Sequence, residues 1–236
     1  MEGPEDDTRG YGQYCPISRA LEVLGERWSM LIVRDLLCGA TRFNELARCN
    51  PRLSRTLLAK RLRQLERAGI VDHLGDQYLL TPAGKDLEPI VFGVGEWGAR
   101  WQFDQPREEE LDPELLMWWV HTRLDFSGLD ATRSTLEFRF SDARQRFWIV
   151  HDTQGASICT AEPGFEVDAL IESDLSTMYQ VWMGQLDLRS ATRSGRTTVS
   201  GRPAVVRRLP AIFLLSPIAD RVAAVNAPRG ARGAAR

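Results

Sequence analysis

The hydrophobic period of this chain changes near residue 106, and that change constrains its fold more than any other feature. Upstream, apolar residues recur three or four apart; downstream, they alternate. A helix buries one face through the first spacing, a strand through the second. The chain is therefore α+β, helical in its first part and built round strands in its second. Pro106-Arg107-Glu108-Glu109-Glu110 marks the change and sets a domain boundary at about 104–111.

At 236 residues the chain has room for one large domain or two small ones. Thirty basic residues against 32 acidic ones exclude a uniformly basic protein, so a nucleic-acid site must be local. Four cysteines, at 15, 38, 49 and 159, form no Cys-x-x-Cys, and there are three histidines. Neither a zinc site nor a disulfide framework is indicated. The least interrupted apolar run, 209–219, is broken by Pro210, Ser216 and Pro217, far short of a membrane span. The opening residues are acidic where a secretory signal is basic. A cytoplasmic protein with no membrane partner is expected. No nucleophile–base motif, phosphate loop or metal-ligand pair is present, so neither an enzyme nor a cofactor is expected.

Residues 1–10 and 226–236 read as disordered ends, the first acidic and the second basic. Between them, 11–105 and 111–221 are the two expected domains. In the first, Ile17, Ala20, Leu21 and Leu24 share one face of a helix over 16–24, ended by Gly25. A helix over 26–37 carries Trp28, Leu31, Ile32 and Leu36. A short one over 43–48 takes Thr41 as N-cap. Asn50-Pro51 breaks the chain. A strongly marked helix over 54–68 follows, with Ser54 as N-cap, Leu58, Leu62 and Leu65 inward, and Gly69 as stop. Residues 70–74 and 77–80 form a hairpin round Gly75-Asp76. Thr81-Pro82 opens a last helix, to about 103. This is the order of a winged helix-turn-helix, whose second helix of the turn enters the DNA major groove.

The helix over 54–68 has the chemistry for that task. Arg52, Arg55, Lys60, Arg61, Arg63 and Arg67 face one acid, Glu66, in a chain whose net charge is −2. Projected at 100° per residue, Arg55, Thr56, Ala59, Lys60 and Arg63 turn away from the leucines. Arg can pair with guanine through two hydrogen bonds, and Lys, Thr and Ser reach phosphates or base edges. The expected DNA-binding residues are Arg52, Ser54, Arg55, Thr56, Lys60 and Arg63.

Cys15-Pro16-Ile17, Leu24-Gly25-Glu26-Arg27-Trp28, Leu36-Leu37-Cys38-Gly39, Arg42-Phe43-Asn44-Glu45-Leu46 and the run from Leu58 to Glu66 resemble the HxlR-type winged-helix transcription regulators, relatives of the MarR group. Leu79-Leu80-Thr81-Pro82-Ala83-Gly84 and Trp97-Gly98 continue the match over about 11–103. The resemblance implies a homodimer that binds a palindromic double-stranded operator. One departure is the hairpin, which has no Arg or Lys between 71 and 80 and an acid, Asp76, at its tip. In some members the cysteine before the first helix senses oxidants. Here that is Cys15, at a helix N-terminus and near Arg19, both of which lower a thiol's pKa.

In the second domain, Asp112-Pro113 opens a helix with Leu115, Leu116, Trp118, Trp119 and His121. Strands follow over 135–140, 146–151, 156–160 and 165–171, then a helix capped by Asp174, a strand over 197–200 and a final helix. Residues 167–175, 182–187 and 194–201 resemble the sterol carrier protein type-2 fold. That resemblance implies a five-stranded sheet with helices over one face and an apolar tunnel between them. Trp118, Trp119, Phe138, Phe140, Trp148, Met178 and Trp182 are the candidate walls for an apolar small-molecule ligand. The expected protein is a DNA-binding regulator tuned by such a ligand or by Cys15 oxidation. The alternative is a carrier of lipids or small apolar molecules.

Overall fold

The computed structural model describes residues 10–129 and 132–226. The two ends expected to be disordered lie outside these, save Gly10 and Asn226. Two compact units are present, Met1–Val94 and Gly95–Arg236.

The first unit contains α1 (Pro16–Leu24), α2 (Ser29–Leu37), α3 (Phe43–Cys49) and α4 (Arg55–Arg67). The hairpin β1 (Val71–Leu74) and β2 (Gln77–Leu80) follows, then α5 (Pro82–Lys85). Ile32, Val33, Leu36, Leu46, Leu58, Leu62 and Leu65 are buried and make the core. The leucines of α4 point inward because they recur at helical spacing. Ser54 accepts a hydrogen bond from the Leu57 amide at 3.3 Å, and Gly69 leaves the helix in the left-handed region, φ 69°.

Three local expectations are corrected. First, α2 starts at Ser29 rather than Glu26, because Trp28 sits in the left-handed region at φ 82°. Such a backbone for a bulky residue costs about 1–3 kcal/mol and persists only where its surroundings impose it. Second, Arg42, not Thr41, is the N-cap of α3; Glu45 accepts from the amides of Thr41 (2.8 Å) and Arg42 (2.9 Å). Third, the helix expected from Thr81 to about 103 is two. Thr81 caps α5 and donates to the Gly69 carbonyl at 2.6 Å, and Gly84 lies where a Cβ would stand 2.2 Å from the Ile70 carbonyl oxygen. The chain turns at Asp86-Leu87, and α6 (Glu88–Trp101) begins with Pro89, which has no N–H, in its first turn. The apolar face of α1 is open, with Ile17 68% and Leu21 45% exposed.

The second unit follows α6 with α7 (Pro113–His121), β3 (Ser134–Phe140), β4 (Arg146–Asp152), β5 (Gly155–Cys159), β6 (Ala169–Ser173), α8 (Leu175–Trp182), α9 (Leu188–Arg193), β7 (Thr197–Gly201), α10 (Pro203–Ile212) and α11 (Ala219–Asn226). The expected five-stranded sheet is present, in the order β5-β4-β3-β6-β7. β3 and β6 are parallel and the other pairs antiparallel. Phe138 stands opposite Phe147 and beside Ile171 in register. These three, with Leu136, Phe140 and Ile149, pack against Leu116 and Met117 of α7, Met178 and Trp182 of α8, and Leu209 of α10 in one core.

Strand parity places Trp148, opposite Glu137, on the other face of the sheet. The strand expected over 165–171 begins only at Ala169. Asp168 is held outside the strand: its carboxylate accepts from the Thr135 amide at 2.8 Å and pairs with Arg202 at 2.6 Å. Neither α9 nor α11 was expected. No helix among the described residues is long and apolar enough to cross a membrane.

Candidate nucleic-acid interface

The expected contact residues collect on the outer surface of α4 and the turn that enters it. Arg52 lies in that turn, Ser54 caps the helix, and Arg55, Thr56, Lys60 and Arg63 follow along it; all six side chains are exposed. Arg67 is exposed at the C-terminal end of α4, where a cation complements the helix dipole. Arg55 is also tied to the preceding helix. It donates to Asn44 Oδ1 at 2.9 Å and lies over the Phe43 ring, 5.6 Å from its centroid. That bond sets its direction along the outer side of α3 and α4.

Arg61 departs from the basic row. It is buried, and its guanidinium turns inward to the segment joining α1 and α2. The charge that the sequence assigns to this helix is therefore less exposed than its composition suggests.

The turn between α3 and α4 is locked from within. Asn50 Nδ2 donates to Asp35 Oδ2 at 2.5 Å and to the Leu46 carbonyl at 3.1 Å. Asp35 is fully buried, and burial pushes its carboxyl above the usual carboxylate range; Arg34, at 2.6 Å, and Asn50 act against that shift. Sequence reasoning treated Asn50-Pro51 only as a breaker. An Asn in a turn can tie two helices, but its partner, Asp35, sits on a helix of which only the apolar residues were singled out.

The hairpin is coupled to α3 in a way the sequence did not show. The Tyr78 amide donates to the Thr41 carbonyl at 2.7 Å, and Arg42 bridges to Gln77. Gly75 supplies φ 64° at the first position of the two-residue turn, the place a type II′ turn gives to glycine. Asp76 at the tip accepts from Arg42 Nε at 2.9 Å. That bond and the adjacent positive charge hold the Asp76 carboxyl below its ordinary range. The acid is thus met by a cation from outside the hairpin. On the hairpin's face, His73 stacks on Tyr78 with ring centroids 4.2 Å apart.

The other expected sites are dispersed. Cys15 precedes α1 and is half-buried. The Ser18 and Ile17 amides hold its thiol below the ordinary value. Arg19 was expected to help, but it pairs with Glu22 at 3.4 Å. In the second unit, Phe138, Phe140, Met178 and Trp182 lie together in the core, with half-buried Trp119 against it. Trp118 is half-buried outside that cluster, and Trp148 is on the opposite sheet face.

Residues 23–106 match the model of the HxlR-like helix-turn-helix family. Over 97 residues the chain is 36% identical to the HTH-type transcriptional regulator YvaP of Bacillus subtilis, covering 38% of this chain and 90% of that one. Over 104 residues it is 30% identical to the HTH-type transcriptional regulator YdeP of the same organism, covering 41% and 78%. Among solved structures, quinone-bound YodB from B. subtilis is 34% identical over 37% of this chain and 99% of that chain, with a TM-score of 0.35. Each of these likenesses covers less than half of the present chain.

Proposed function

The chain belongs to the HxlR-like helix-turn-helix family, and from that premise we propose that it is a homodimeric transcription regulator that reads a palindromic duplex with α4. The observation that carries this reading is the exposed row Arg52, Arg55, Thr56, Lys60 and Arg63 on a helix whose opposite side is buried leucine. Cations on a rigid helix give both a phosphate contact and a base-edge donor. The test is fluorescence anisotropy on duplexes that the protein itself selects from a randomised library. Tight binding whose affinity falls steeply with salt is expected. Failure to enrich any duplex would refute the reading.

A second copy accounts for the open apolar faces. Ile90, Val94, Trp97 and Trp101 recur along one face of α6 and are 51–60% exposed, and Ile17 and Leu21 do the same on α1. Stripes of this size on a soluble chain mark an interface. A dimer that covers them would place two α4 helices on half-sites about 34 Å apart. Sedimentation at micromolar concentration should show the dimer; a monomer would contradict it.

Two control points complete the proposal. The second unit, read as sterol-carrier-like, would admit an apolar ligand beside Phe138, Phe140, Met178, Trp182 and Trp119. A fluorescent fatty acid should then bind with a negative heat-capacity change and raise the melting temperature. Cys15, held toward the thiolate by amides at the start of α1, would react with an electrophile and loosen the dimer's grip on DNA.

A further inference from the structure

Of the six cations between residues 52 and 67, Arg61 alone is buried. Its guanidinium nitrogens are all engaged. Nε donates to the Arg27 carbonyl at 3.0 Å, one terminal nitrogen pairs with the Glu26 carboxylate, and the other donates to Gln64 Oε1 at 2.7 Å. Each nitrogen is engaged on the inner side of α4 and the group is buried, so it is turned away from a phosphate on the outer face.

Its partners lie where the backbone is most constrained. Glu26 and Arg27 form the joint between α1 and α2, and the next residue is Trp28, at φ 82°. The Arg27 guanidinium lies over the Trp28 ring, 5.1 Å from its centroid. The Glu26 carbonyl accepts from the Ser29 amide, and that of Trp28 from Ile32. The joint therefore holds one conformation, and Arg61 ties α4 to it. On α4, Lys60 is the adjacent residue and Arg63 is two further on, both exposed. A rotation of α4 about its axis would redirect both.

We infer that Arg61 is a positioning residue that fixes α4 against the α1–α2 joint, so that the open face of α1 sets the placement of the reading helix. This deepens, and rests on, the reading of α4 as the DNA-contacting helix. In a dimer assembled through α1, Arg61 then fixes the half-site spacing the protein accepts. An arginine that contacted phosphate would instead govern affinity on every duplex alike.

The experiment uses the full chain and duplexes enriched by the wild type, each remade with one or two base pairs added or removed between half-sites. Arg61→Met should bind the enriched spacing about tenfold more weakly. It should lose much less on the altered spacings, so the preference flattens. Its salt slope should stay at the wild-type value, because no phosphate contact is lost. Wild-type affinity with the wild-type spacing preference would overturn the inference. So would a salt slope shallower by about one, which marks a phosphate ligand. Glu26→Gln keeps an acceptor but removes the charge, which guards against an unfolded Arg61→Met. It too should flatten the spacing preference, and an unchanged preference overturns the inference. If wild type enriches no duplex, the reading of α4 falls first and this inference with it.

Discussion

α4 and α8 are alike at their N-termini and inner faces and unlike on their outer ones. Ser54 caps the first by accepting from Leu57; Asp174 caps the second by accepting from Thr177 at 2.7 Å. Leu58, Leu62 and Leu65 fill one core, and Leu175, Met178 and Trp182 the other. On α8 the remaining polar groups are also used up inside the chain. Gln180 is buried and donates to Gln105 at 2.6 Å, while Arg196 donates to Thr177 and Gln180. On α4, Thr56, Lys60 and Arg63 face solvent. A helix whose polar side chains are satisfied internally is architecture. One that holds charge outward on a leucine base leaves that charge available to solvent or to a partner.

That contrast is open to direct attack. Trp182→Ala should produce the largest effect, about 3–5 kcal/mol of lost stability in denaturant titrations, because it removes a buried ring edge-on to Phe213. Operator affinity should barely change; a large loss there would mean that the two helices are not independent. Leu62→Ala should cost about 2–5 kcal/mol of stability by the same mechanism. Arg63→Ala, one position on, should leave stability within about 0.5 kcal/mol but weaken operator binding by about 1–3 kcal/mol in anisotropy titrations. If Arg63→Ala unfolds the chain or binds as wild type, the outer face of α4 has been misread.

The caps give a smaller and more even pair. Ser54→Ala and Asp174→Ala should each cost about 1 kcal/mol in thermal or chemical melts. The smallest effect is kinetic. Amides at the start of α1 lower the Cys15 pKa, so alkylation of Cys15 should run faster than that of buried Cys49. The midpoint of its rate against pH should lie below that of a free thiol. Equal rates would leave Cys15 as an ordinary packing residue.

The sequence revealed what repeats. The leucine period placed α4 to within a residue at each end, and alternation placed β3 and β4 almost to their limits. The outward set on α4 followed from the same geometry, and all six residues are exposed. What it hid depends on partners distant in the chain. Arg61 counts as one more cation until Arg27, 34 positions away, and Glu26 beside it in sequence are brought to it. Trp148 alternates with Phe147 on one strand, so only the choice of buried face decides that it leaves the core set. The break in the helix after Thr81 had a local signal that was passed over: Pro89, in the first turn of α6, has no N–H to carry a helix on from residue 85. Two short helices, α9 and α11, were passed over, although Asp187 caps α9 by accepting from Ser190 at 2.9 Å, the same signal that marked α8 at Asp174.

The bond from the Tyr78 amide to the Thr41 carbonyl, with the Arg42–Asp76 pair beyond it, makes the hairpin a third participant in the entrance to α3 rather than a free flap. An isolated two-stranded ribbon is marginal in water and would lose conformational freedom on meeting a partner. Here that freedom is already spent during folding. Whatever the hairpin touches, its backbone is preorganised, and the cost of fixing that backbone, about 1–2 kcal/mol per residue, is met before association.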